Sequence, residues 1–351
     1  MVHAVAAFRR LRMHPVPRSN ASIECGPDVC FPGCPVGHSG TINGLGGSGL
    51  SDDGSAYMRS DAPEFLKRRV AAANKLMRQC RLCPRQCGVN RLAGETGFCR
   101  TAEKAWVASY APHFGEEAPL VGRHGSGTIF FTHCNLGCRF CQNFDISHEG
   151  QGQPVTNAQL AAMMVKLQDM GCHNVNLVSP SHVVPQILAA LEIAIANGLH
   201  VPLVYNTGGY DAPQTLALLD GIVDIYMPDF KFWDPASGFT YCGVPDYPEI
   251  ARQALRMMYR QVGELTTDAT GIARRGMIIR HLVMPQGLEE TRKILTFIAE
   301  QLSRDTYVNL MPQYRPCGQA EDFPALARAL SAREFKAAMA VARAVGLRRL
   351  D

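Results

Sequence analysis

From residue 127 onward the chain repeats one unit: a short run of β-branched and aromatic residues, then a longer segment with helical periodicity. Strands are expected at 128–132, 174–178, 202–206, 223–227, 277–283 and 307–311. Helical patterns follow at 156–171, 182–198, 212–221, 248–262, 288–302 and 323–345. Right-handed crossovers turn such a repeat into a parallel sheet with its helices packed outside. Six units are too few to close an eight-stranded barrel. The expected fold is therefore α/β, an open, partial (β/α)6 barrel preceded by a cysteine-rich metal-binding segment. In parallel α/β folds the chemistry sits at the carboxyl ends of the strands. The loops "HCNLGCRFCQN", "SPSH", "NTGGYD", "PDFKF", "MPQG" and "PQYRPCG" occupy those ends.

The first of these loops carries Cys134, Cys138 and Cys141, with three and two residues between them. A short loop with that spacing can wrap three corners of a [4Fe–4S] cubane and leave the fourth iron without a protein ligand. An open coordination position marks catalysis rather than scaffolding. A zinc or iron site completed from elsewhere is the alternative.

Upstream, "CRLCPRQCGVNRLAGETGFC" sets Cys80, Cys83, Cys87 and Cys99 at spacings of two, three and eleven. Four thiolates close a coordination sphere, so this site is expected to be structural or electron-transferring. Zn(Cys)4 and a second [4Fe–4S] cluster both stay open. Zinc sites favour two close pairs, and the irregular spacing leans towards iron–sulfur.

The chain divides into three parts. Residues 1–60 are expected to be a poorly ordered or targeting extension, Gly/Ser-rich over 39–55, in which Cys25, Cys30 and Cys34 read as incidental thiols. Residues 61–126 hold an amphipathic helix, with Asp61 as its cap, and the four-cysteine segment. Residues 127–351 make the barrel.

Composition narrows the function classes. A net charge of +4, from 35 basic and 31 acidic residues, gives no polybasic block, so no nucleic-acid partner is expected. The most apolar stretch, 187–199, is interrupted by Glu192 and reads as a core helix, so no membrane association is expected. Thirteen cysteines without a secretory signal point to metal ligands rather than disulfides. A cytoplasmic location is expected. The first 23 residues lack Asp and Glu but carry Arg9, Arg10, Arg12 and Arg18, so a transit peptide would instead place the chain in the mitochondrial matrix.

The three-cysteine loop, with Phe140 just before its third cysteine, resembles the radical SAM superfamily. Together with "CRLCPRQCGVNRLAGETGFCR", "NLVSPSHVVPQIL", "VYNTGGYD", "DIYMPDFKF" and "VNLMPQYRP", it resembles the pyruvate formate-lyase activating enzyme-like (PflX-like) group over residues 80–318. The resemblance implies a [4Fe–4S] cluster whose open iron chelates S-adenosylmethionine (AdoMet). One electron would then cleave AdoMet to methionine and a hydrogen-abstracting 5′-deoxyadenosyl radical. It also implies a one-electron donor such as a flavodoxin or ferredoxin. Many members carry Gly-Gly-Glu after the second strand, where this chain has "SPSH", leaving Ser179, Ser181 and His182 as candidate cofactor contacts. Phe140, Asn206, Asp229, Lys231, Arg280 and His281 are the other candidates for lining the AdoMet pocket. The activase-like name suggests hydrogen abstraction from a protein or peptide glycine. A radical SAM enzyme acting on a small metabolite is one alternative, and a non-catalytic iron–sulfur or zinc redox protein is another.

Overall fold

The computed structural model describes residues 54–58 and 61–351. Cys25, Cys30, Cys34, the early arginines and residues 39–53 of the Gly/Ser-rich stretch lie outside them. The fold is built on one sheet, whose six central strands are those the repeat anticipates. They are β2 (Ser126–Phe131), β4 (Val175–Val178), β5 (Leu203–Thr207), β6 (Ile225–Pro228), β8 (Ala273–Leu282) and β9 (Tyr307–Met311). All six run parallel, each beside its predecessor, and the sheet does not close on itself.

The crossover helices are α4 (Asn157–Asp169), α5 (Val184–Ala196), α6 (Pro213–Leu219), α8 (Tyr247–Val262) and α9 (Leu288–Gln301). Alternation along the strands sorts the side chains between two faces. Ile129, Leu177, Tyr205, Tyr226 and Ile279 join the core under the helices. Val204, Ile225, Met227 and Ile278 form a smaller cluster with Leu120 of α2 (Ala118–Val121). Asn206 and Arg280 are in step with the second set and therefore project to the barrel interior.

Several elements depart from the sequence expectation. The 323–345 helix is shorter, because α10 (Ala332–Ala344) starts at a capping box in which Ser331 and Glu334 satisfy each other's backbone N–H groups. Two strands extend the sheet without being anticipated: β1 (Ala105–His113) pairs antiparallel with β2, and β3 (Gln153–Val155) pairs antiparallel with β1. Pro112 obscures β1 in the sequence, yet β3 pairs only with residues 105–107, so the proline sits where no second neighbour needs its N–H. Short β7 (Thr266–Thr267) folds back antiparallel on β8, and β10 (Arg349–Leu350) runs parallel to β9 at the far edge.

Helix α1 (Ala62–Arg78), with Asp61 at its N-cap, packs against α5. Just before it, Tyr57 is buried, and its hydroxyl donates to the Val201 carbonyl at 2.6 Å. Helix α3 (Phe144–Ser147) follows the three-cysteine loop, and α7 (Pro235–Cys242) lies between β6 and α8 in the chain. No helix among the described residues is long and apolar enough to cross a membrane.

Candidate metal centre

Strand β2 ends at Phe131, and His133 turns the chain with a φ of +69°, opening the three-cysteine loop at the carboxyl end of the strand. Three elements hold this loop. The Asn135 side-chain amide donates to the Tyr210 carbonyl at 2.6 Å. The Gly137 and Arg139 N–H groups donate to the carbonyls of Cys242 and Tyr241 at 3.3 and 2.8 Å. Those carbonyls belong to the last turn of α7, where a helix leaves its acceptors free. From the third side, the Arg85 Nε–H reaches the Asn135 carbonyl at 3.0 Å.

Donors are already aimed at the loop's sulfurs. The Leu136 N–H donates to Cys134 Sγ at 3.3 Å, and the Ser147 hydroxyl to Cys141 Sγ at 3.2 Å. Burial pushes the Cys134 thiol up to about 12, with Cys138 adding to the shift. Burial also raises Cys141. The Cys138 thiol is held well above its usual range, first by its contact with Cys242 Sγ at 3.4 Å and then by burial. The Lys231 ammonium opposes all three shifts. These are thiols that a metal must deprotonate on binding. Sequence reasoning missed Cys242, which lies far away in the chain and belongs to no motif. It is fully buried in the core, against Cys138.

Four of the sequence-predicted pocket residues meet in one network. Asp229 accepts from Lys231 Nζ at 2.6 Å and from Arg280 Nε at 2.9 Å. Arg280 also donates to Asn206 Oδ1 at 2.7 Å and to Glu116 at 3.3 Å. Burial opposes the Asp229 charge, but the two cations hold its carboxyl below the usual range. Burial likewise opposes the charges of Lys231 and Arg280, and Asp229 keeps both pKa values raised. Glu116 and Glu117 precede α2 and are not among the sequence-predicted pocket residues, although Glu117 accepts from Asn309 of β9 at 2.8 Å. Phe140 sits edge-on to Phe232, with ring centres 5.7 Å apart.

The remaining candidates lie outside that network. His281 is held between the Phe230 carbonyl at 2.7 Å and the Thr291 hydroxyl at 2.8 Å, and burial lowers it to about 4. His182 contacts the Thr132 carbonyl at 3.1 Å, and burial lowers it to about 3. Ser181 bonds Thr207 at 3.1 Å, and Thr207 in turn donates to the buried Asp211. Ser179 takes a positive φ of +57°, and its N–H donates to the Asn206 carbonyl.

The upstream cysteines share a compact loop. The Cys80 N–H donates to the Val89 carbonyl, and the Gly88 N–H donates to the Cys80 carbonyl. Cys80, Cys83, Cys87 and Cys99 line one cavity, with Arg85, Arg91, Phe98 and Asn135. Burial pushes Cys83 up to about 12, and the other three thiols add to the shift. Among the described residues no three His, Cys, Asp or Glu side chains are drawn together tightly enough to hold a single metal ion.

Against known proteins, the chain is 33% identical over 287 residues to the uncharacterized protein MJ0674 of Methanocaldococcus jannaschii, covering 80% of this chain and 79% of that one. No protein-family model matches. Among solved structures, native anSMEcpe with bound AdoMet aligns with a TM-score of 0.43 at 9% identity, over 62% of this chain and 61% of that one. SuiB of Streptococcus suis aligns at 0.40 and 13% identity, over 63% and 46% of the two chains. TYW1 with a lysine-pyruvate adduct aligns at 0.37 and 13% identity, over 62% and 73%. The chain thus spans less than two thirds of the length of the first two structures.

Proposed function

We propose that this chain, which belongs to the family of the uncharacterized Methanocaldococcus jannaschii protein MJ0674, is a radical SAM enzyme. The observation that carries this reading is the loop of Cys134, Cys138 and Cys141 at the carboxyl end of β2. Two of its sulfurs already receive hydrogen bonds, and the Lys231 charge acts on all three. A [4Fe–4S] cluster on these thiolates would supply the electron that cleaves AdoMet to methionine and a 5′-deoxyadenosyl radical.

The chain's own residues do the rest. The Leu136 N–H and the Ser147 hydroxyl stabilise thiolate charge, and hydrogen bonds to sulfur tune a cluster's potential. Lys231, Asp229, Arg280 and Asn206 form a fixed polar frame at the strand ends, suited to the charged groups of AdoMet. Phe140 and Phe232 keep the neighbouring wall apolar. Cys242 packs against Cys138 from the core side and is not assigned as a ligand.

The favoured substrate is a protein or peptide C–H bond, as in glycyl-radical activation, because an open sheet leaves a side through which a loop can enter. One feature favours a small polar metabolite instead: the buried Glu117 Oε2 has no hydrogen-bond partner among the described residues. A flavodoxin- or ferredoxin-type donor is the proposed electron source.

The test is anaerobic reconstitution, dithionite reduction and assay of 5′-deoxyadenosine after AdoMet is added. Cleavage is expected in the native protein and in Cys242→Ala. It should disappear in Cys134→Ala, Cys138→Ala and Cys141→Ala. A fully iron-loaded native protein that leaves AdoMet intact would sink the proposal.

A further inference from the structure

We infer that Cys80, Cys83, Cys87 and Cys99 hold a redox-active iron–sulfur cluster that hands electrons to the three-cysteine site. The relay half of this inference rests on the function proposed above; the identity of the metal does not.

Position is the first ground. Arg85, between Cys83 and Cys87, is hydrogen-bonded to the carbonyl of Asn135, the residue after Cys134. The same guanidinium stacks 3.5 Å over the ring of Phe98, the residue before Cys99. Asn135 lines the quartet's cavity, and a second cavity is lined jointly by Cys99 of the quartet and Cys134 of the triplet. The two thiol sets are therefore neighbours. A purely structural clip has no need of that placement, whereas electron transfer requires it.

Charge is the second ground. Arg91 is 1% exposed and lines the same cavity, yet its guanidinium donates to neutral acceptors, the Ala102 and His182 carbonyls. A buried cation needs a counter-charge nearby. Four metal-bound thiolates supply it.

Redox capacity separates iron–sulfur from zinc. The four thiols line one cavity, and a cubane presents four separate irons, one to each thiolate. Zinc has no second oxidation state with which to pass an electron. In the relay, one electron from a reduced flavin or iron–sulfur carrier reduces the quartet's cluster. That electron then moves to the triplet's cluster, which returns the first to its oxidised state.

The experiment uses the full chain, reconstituted without oxygen. In the Cys134→Ala/Cys138→Ala/Cys141→Ala variant, about four irons and four sulfides should remain per chain, with one reducible paramagnetic signal. Zinc in their place, or no metal, overturns the inference whatever happens to AdoMet. In the native protein, full reduction should give two signals broadened by mutual spin coupling; two uncoupled signals overturn the relay. In Cys83→Ser/Cys87→Ser, reduction of the remaining cluster by reduced flavodoxin should slow by roughly tenfold or more. An unchanged rate overturns the relay. Should that variant fail to fold, the native spin-coupling measurement still decides.

Discussion

His281 and Asp229 are both candidates for the same pocket, and their surroundings give them opposite tasks. Asp229 stays charged between Lys231 and Arg280, in a position to organise a ligand. His281 is held neutral by burial, lowered to about 4, where it ties the Phe230 carbonyl to Thr291 of α9. The sign of its pH effect follows. Below the ordinary histidine value of 6.5 the unfolded chain takes up a proton that folded His281 refuses, so stability falls as pH drops from 6.5 towards 4. At pH 5 the loss is about 2 kcal/mol. Denaturant midpoints should show the stability advantage of the native protein over His281→Gln shrinking by about that amount between pH 7 and pH 5. A pH-independent gap would mean that His281 is not held neutral.

Among the helices and strands, helix starts are written locally and loop anchors are not. Thr156 and Gln159 form a complete capping box at the start of α4, as Thr156 before an apolar-periodic run suggests. Thr156→Ala should cost about 1 kcal/mol, read as a lower denaturant midpoint with an unchanged m-value. By contrast, only its end residues, the Asp234 cap, Pro235 and Gly243, announce α7, whose eight residues carry little periodicity. Yet its last carbonyls are the acceptors that fix Gly137 and Arg139 between the cysteines of the loop. Strand β1 is hidden for a related reason. A proline reads as a strand breaker until the partner that would need its N–H is known to stop short.

Across the molecule, metal and fold should be linked. Cys83 and Cys134 are both pushed up to about 12, so the metal-free protein buries protonated thiols at two neighbouring loops. Metal binds the folded arrangement far better than the unfolded chain, and each ligated cysteine gives up a proton. Chelator-treated protein should therefore melt at a lower temperature than iron-loaded protein, and the difference should widen from pH 6 to pH 8 as proton release becomes easier. Equal melting temperatures at both pH values would show that neither loop depends on metal. The strand–helix period, the six central strands and both cysteine spacings are legible in the chain alone, because each depends on residues close together in it. Three contacts needed the folded molecule: Cys242 against Cys138, Glu116 on Arg280, and Arg85 linking the quartet to the triplet. Each joins residues far apart in sequence, and chain crossover and packing, which no local pattern encodes, set them beside each other.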